Sequence, residues 1–242
     1  MRAGRSVYQL DRALIRELAP SIILAQGLCD VCAPGEGELS ETLGWLSYRP
    51  QVITVSPHCL TDVWANLEQI GASTGRQAEA ERLATGCRAR LAHVAQQVRQ
   101  TRERPRVFFM EWVDPIFCGG HWIPEMVQMA GGHDPLGRPG ADSVRLSQEE
   151  VIAAAPEIMI GSPCGVATAA AASQMTKQLS DAGWAGVPAI DSNRVYAVDA
   201  ARFSRPSLRL AEGVELLAHL FHPRTIPWRG ANDAAAQVHL PR

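Results

Sequence analysis

RQAEAERLATGCRARLAHVAQQVRQTR, residues 76–102, is the stretch that decides the fold. It contains no proline and is built largely from Ala, Arg, Gln and Glu. Its apolar residues Leu83, Cys87, Leu91, Val94 and Val98 recur at intervals of three and four, which sets one stripe along a helix. At 3.6 residues per turn the stretch predicts a single amphipathic helix of about seven turns, ended by Pro105. A rod of that length in mid-chain favours a bridge between two bodies.

The segments on either side alternate between two patterns. Upstream, DRALIRELA (11–19) puts Leu14, Ile15 and Leu18 on one helical face and stops at Pro20. SIILAQ (21–26) has strand length, 38–46 reads as a helix, and QVITVS (51–56) as a second buried strand. A further helix starts with Thr61 as its N-cap and runs to Gly71. Downstream, RVFFMEW (106–112), EIMIGS (157–162) and RVYAVD (194–199) read as strands. Helices are expected at 120–132, 147–156 and 168–180, with a closing helix in RPSLRLAEGVELLAHLF (205–221). The strands are continuous apolar runs, the mark of parallel sheets covered on both faces. One doubly wound sheet would satisfy this pattern too, but the long central helix favours an α/β fold of two Rossmann-like lobes with parallel sheets. The expected division is a partial N-terminal lobe at 1–75, the linking helix at 76–103, a C-terminal lobe at 104–223 and a tail at 224–242.

Composition narrows the function. A chain of 242 residues has room for two lobes of about 100 residues each. The net charge of −2, with both signs interspersed, offers no basic stripe for a phosphate backbone, so nucleic acid is not an expected partner. Six cysteines (29, 32, 59, 87, 118 and 164) are too sparse for a disulfide scaffold. No apolar run reaches the ~18 residues of a membrane span. The opening MRAGRSVYQLDRALIRELAP is charged throughout and lacks the apolar core of a secretory signal. Either the chain stays inside the cell or its numbering begins downstream of its true start.

In open parallel sheets, ligands sit beyond the carboxyl ends of the strands. Here those ends lead into the loops at 26–34, 56–60, 112–122, 162–166 and 199–206. In the first loop, LAQGLCDVCAP (24–34), Cys29 and Cys32 form half of a zinc site. No second CxxC or HxxxH pair follows, although His58 and Cys59 leave the neighbouring strand on the same edge. The readings are a metal clamp, a redox pair, or small residues lining a loop; the strong preference of free cysteine for burial favours the last. EWVDPIFCGGHW (111–122) concentrates Glu111, Trp112, Asp114, Pro115, Cys118, His121 and Trp122 between a strand end and a helix start. A loop does not easily bury two indoles, and large amphipathic rings in a hollow are what ligand recognition uses. Catalytic pairings exist in Cys118 with His121 and in Glu111 with Asp114. Neither is accompanied by a GxSxG elbow or a GxxxxGK[ST] loop, so the expectation is binding without catalysis. The enzymatic alternative is a metal or redox site made of the CDVC loop, His58, Cys59 and His121.

Four stretches together resemble the cobalamin-type branch of the substrate-binding proteins of ABC importers. They are LAPSIILAQGLCDVCAP (18–34), EWVDPIFCGGHWIPEMVQMAGGHDPLG (111–137), LSQEEVIAAAPEIMIGSPCG (146–165) and NRVYAVDA (193–200). The resemblance extends from about Tyr8 to His222, and its broader class handles haem and iron-siderophores as well. It implies two lobes joined by one helix, with the ligand held in the cleft between them. Carried over by position, Gln26, Cys29, Asp30 and Cys32 would line the first wall. Trp112, Asp114, Phe117, His121 and Trp122 would line the second, with Asp199, Phe203 and Arg205 from the last strand's loop. A corrin is a broad macrocycle edged with amides, so apolar walls with a few polar contacts suit it. The corrinoid is cargo, and no resident cofactor is expected. Glu149 in the second lobe, and Glu38 or Glu41 in the first, would dock on the permease. The resemblance also implies a monomer in an extracytoplasmic location, against the cytoplasmic one that the missing signal leaves open. Relatives open with a strand, a glycine-rich turn and a helix that have no counterpart here, so an incomplete first lobe is expected. A chain that binds nothing alone is the remaining reading.

Overall fold

The computed structural model describes residues 10–27 and 36–240. The first part of the chain holds α1 (Arg12–Leu18), β1 (Ile22–Gln26), α2 (Glu36–Gly44) and β2 (Gln51–Val55). β1 and β2 pair in parallel, Ile22 opposite Gln51 through Gln26 opposite Val55. Asp11 caps α1 by accepting the Leu14 N–H at 2.9 Å.

Two helices then form an antiparallel hairpin, α3 (Leu60–Ser73) and α4 (Gln77–Val98). Gly75 reverses the chain between them at φ +69°, the left-handed region where glycine carries no steric penalty. Two sequence expectations are corrected here. Cys59, not Thr61, is the N-cap of α3. The linking helix has 22 residues instead of extending to 102. It ends because the Thr101 hydroxyl and the Arg104 guanidinium both donate to the Val98 carbonyl, at 2.8 and 3.3 Å. The buried stripe of α4 includes the expected Cys87, Leu91, Val94 and Val98, but its first half is carried by Ala80 and Ala84. These small residues let α3 approach closely: a Cβ on Gly71 would stand 2.3 Å from that of Ala80.

The rest of the chain builds β3 (Val107–Trp112), β4 (Phe117–Cys118), α5 (Ile123–Met129), α6 (Gln148–Ala153), β5 (Ile158–Gly161) and α7 (Thr168–Leu179). It continues with α8 (Pro188–Asp191), β6 (Val195–Val198), α9 (Arg209–Phe221) and β7 (Ala235–Gln237). The strand order is β4-β3-β5-β6-β7, with β3, β5 and β6 parallel and both outer strands antiparallel. β7 comes from the segment read as a tail; its flanks Ala234 and Val238 are buried.

The apolar runs have a physical reading in this sheet. Val107, Phe109, Ile158 and Ile160 point to a core shared with α3, α4, α5 and α9. Phe108, Met110 and Met159 point to the opposite core, packed on α6 and α7. Successive strand residues face opposite sides, so a strand covered on both must be apolar at every position. The structure is thus a mixed α/β fold with a two-stranded and a five-stranded sheet, joined through the α3–α4 hairpin.

Candidate functional site

Among the described residues, the carboxyl ends of the parallel strands lead into the loops at 56–60, 112–122, 162–166 and 199–206, and the 112–122 loop is the most constrained. β3 and β4 form a hairpin with Met110 opposite Cys118 and Trp112 opposite Phe117, and the Asp114–Pro115 bond at its tip is cis. Trp112 stands 41% exposed, with its indole N–H donating to the Asp114 carbonyl at 3.0 Å. Asp114 is exposed and Phe117 half-buried beside it. Behind the hairpin, the Gly120 N–H donates to Glu111 at 3.0 Å. Burial nonetheless pushes the Glu111 carboxyl above its ordinary pKa. Gly120 has no room for a side chain, since a Cβ would lie 2.5 Å from the Ser143 nitrogen.

His121 takes a left-handed φ of +48°, unusual for a residue with a Cβ. Two backbone bonds hold it there, its N–H to Ala141 O at 2.7 Å and its carbonyl from Gly140 N–H at 2.9 Å. Its Nε2 lies 3.1 Å from Asp142 Oδ1 yet out of line for a hydrogen bond, so among the described residues the buried nitrogen has no hydrogen-bond partner. The His121 ring meets that of His58, which arrives from the end of β2, at 5.7 Å between centroids. This contact joins the loop of the small sheet to the loop of the large one.

Other expected site residues fall differently. Trp122 is only 4% exposed, and its indole donates to the Phe203 carbonyl at 2.7 Å. Phe203 is fully buried, 5.4 Å from the Phe109 ring. Both are core residues that brace the wall from behind, because the loop bends each ring onto the sheet. Asp199 accepts from Ala201 N–H and pairs with Arg202 at 2.5 Å, so its carboxylate is engaged internally. Arg205 is exposed at the rim of a hollow of about 220 Å³ bounded by Gly165, Ala167, Asp199 and Ser204. The Ser204 hydroxyl there is buried with no partner among the described residues, which nothing in the sequence signalled. An apolar hollow of about 280 Å³ lies nearby, between Val55, Pro57, Trp64 and Leu67 on one side and Pro206 and Leu208 on the other. Gln26 ends β1 exposed. Cys29, Asp30 and Cys32 lie outside the described residues.

The proposed docking acids divide as well. Ser147 and Glu150 make a reciprocal capping box at α6, Ser147 N–H to Glu150 at 2.7 Å and Glu150 N–H to the Ser147 hydroxyl at 3.3 Å. Glu149 is left at the surface, its carboxyl held below the ordinary pKa by its own backbone N–H and then by the Ser147 hydroxyl. Glu41 is paired with Arg12 at 3.0 Å. Glu38 lies within α2, its side chain outside the described set.

For the metal or redox alternative, no group of three or more His, Cys, Asp or Glu among the described residues has the geometry to hold a metal ion. Cys59 has its thiol pKa raised by burial, the opposite of an activated nucleophile.

Two α/β bodies, with His58 and His121 meeting beyond the carboxyl ends of their strands, have the two-lobed architecture of a substrate-binding protein. The sequence matches the Periplasmic binding protein family over residues 17–201, and the chain belongs to that family. A search of curated proteins found no match. Solved structures share the fold. An ABC transporter substrate-binding protein from Listeria monocytogenes EGD-e is 18% identical, with a TM-score of 0.73 over 88% of this chain and 81% of that one. The periplasmic heme-binding protein RhuT from Roseiflexus sp. RS-1 is 22% identical, TM-score 0.71, over 91% and 81%. The periplasmic vitamin B12 binding protein BtuF of Vibrio cholerae is 20% identical, TM-score 0.68, over 90% and 79%.

Proposed function

We propose that the chain is the extracytoplasmic substrate-binding component of an ABC importer, and that it captures a cobalamin-like corrinoid between its lobes without altering it. The observation that carries this reading is the meeting of His58 with His121 across the two bodies, on the loop that also exposes Trp112. A flat macrocycle needs broad aromatic contact and few polar anchors, and Trp112, Phe117, Asp114 and Arg205 offer that mixture. The apolar hollow below Pro206 and Leu208 would take an alkyl edge. Delivery to the permease would use Glu149, which no internal cation holds; on the other lobe, Glu41 would have to exchange Arg12 for a permease arginine. Haem is the second reading, favoured by two imidazoles that offer nitrogen to iron. Among the described residues, no helix is long and apolar enough to cross a membrane.

The test is a spectral titration of the full chain with cobalamin, haem and a ferric siderophore in turn. A saturable change in the visible bands at one equivalent of cobalamin, absent with the other two, is the expected result. Saturation by haem alone would transfer the site to haem, and no response to any of them would end the reading of these loops as a ligand cleft.

A further inference from the structure

We infer that Glu125 is the positioning residue of the cleft. From α5 of the large body it caps helix α3 of the joining hairpin, where the chain arrives from the small sheet, and so fixes the spacing between His58 and His121. The inference concerns the resting geometry and holds whichever ligand the cleft takes.

The first turn of a helix leaves its N–H groups without partners inside the helix. At the start of α3, three consecutive amides face this need. His58 and Cys59 are served locally, both donating to Asp62 at 2.8 and 3.2 Å. Leu60 donates to Glu125 Oε2 at 2.8 Å, across 65 positions of sequence. A carboxylate at a helix N-terminus is favoured both by charge-assisted hydrogen bonding and by the helix dipole, so the bond is stronger than one between neutral groups.

Its location gives it leverage. Leu60, Val63 and Trp64 of α3 share one buried cluster with Trp122, Ile123 and Met126 at the start of α5. Apolar contact of this kind holds surfaces together but permits sliding, because it has no preferred direction. A hydrogen bond has a fixed length and angle, so the Glu125–Leu60 bond sets the register that the apolar contact leaves free. The bond sits two residues from His58 and four from His121, whose backbone is already clamped to Gly140 and Ala141. Arg90 on α4 also bonds Glu215 on α9, at 2.7 and 2.6 Å, but that pair lies far along the hairpin, so the 5.7 Å ring contact at its start depends on the Glu125 cap.

The experiment is amide exchange and proton NMR on the full chain. In the wild type the Leu60 amide, at a helix position that normally exchanges freely, is expected to be slowed about tenfold or more. Nuclear Overhauser contacts should connect the His58 and His121 ring protons. Glu125→Gln keeps an acceptor oxygen and should retain both signals. Glu125→Ala should release the Leu60 amide and abolish the ring contacts, while amides of β3 and β5 keep wild-type protection, which separates positioning from general loosening. An unprotected Leu60 amide in the wild type, or ring contacts undiminished in Glu125→Ala, would overturn the inference. Should the alanine variant fail to fold, the wild-type and glutamine amides still decide it.

Discussion

Trp112 and Trp122 stand ten positions apart in one loop and do different work. Trp112 is an exposed side chain, so Trp112→Ala should leave the unfolding midpoint unchanged and weaken ligand binding about tenfold, ~1.4 kcal/mol, in the spectral titration. Trp122 fills the core and bonds the Phe203 carbonyl, so Trp122→Ala should cost about 3–5 kcal/mol in chemical denaturation. Asp134 makes a pH-dependent case. Its carboxylate accepts the N–H groups of Phe109, Leu136 and Gly137 at 3.2, 3.0 and 2.9 Å, yet burial outweighs them and raises its pKa to about 6. The folded state thus holds this proton more tightly than the unfolded chain, whose carboxyl titrates near the ordinary value of about 3.9. The contribution is complete below that value and is lost as pH rises through about 6. Urea unfolding from pH 4 to pH 7 should therefore show wild-type stability declining relative to Asp134→Asn, whose side chain has no proton to lose.

At the scale of elements, α6 offers a clean measurement. Ser147→Ala removes the acceptor for the Glu150 N–H in an exposed capping box and should cost about 1 kcal/mol in denaturant unfolding, with ligand affinity unaffected. The same element shows what a sequence can reveal. Ser147, Glu150 and the apolar positions behind them form a local pattern with a local cause, so the capped helix was legible. So were the parallel strands, because full burial on two faces demands unbroken apolar runs such as VFFM and IMIG. The antiparallel flanks were not: β4 and β7 have two and three residues, too few to show a period, and they exist because a neighbouring edge accepts them. The end of α4 was hidden for a related reason, since Arg104 captures the Val98 carbonyl from beyond the stripe. For the candidate site, the rule that ligands sit at strand ends marked the loops, and the structure brings His58 and His121 of two of them together. Which rings face outward was not, because Trp122 and Phe203 owe their burial to contacts 81 residues apart. Glu125 gave no signal either, its partner being an amide at a distant helix start.

On the scale of the whole molecule, the two bodies are unequally built. Every residue of β5 is buried, whereas none in β1 or α1 is, and Leu24 in the middle of β1 is 53% exposed. Opening free energy follows buried apolar contact, so the small sheet should open locally while the large one exchanges only through global unfolding. Amides of β1 are expected to exchange about a hundredfold faster than those of β5, a difference of ~2.7 kcal/mol in opening free energy. A ligand held by both bodies binds only when the small one is in place, so it must stabilise that body by mass action. At a hundred times its dissociation constant the gain is about 2.7 kcal/mol, enough to bring β1 close to the protection that β5 has without ligand. Exchange measured with and without saturating ligand tests this directly: protection gained in β1 and β2 marks a guest spanning the cleft. Protection confined to the large sheet would place the guest on that body alone.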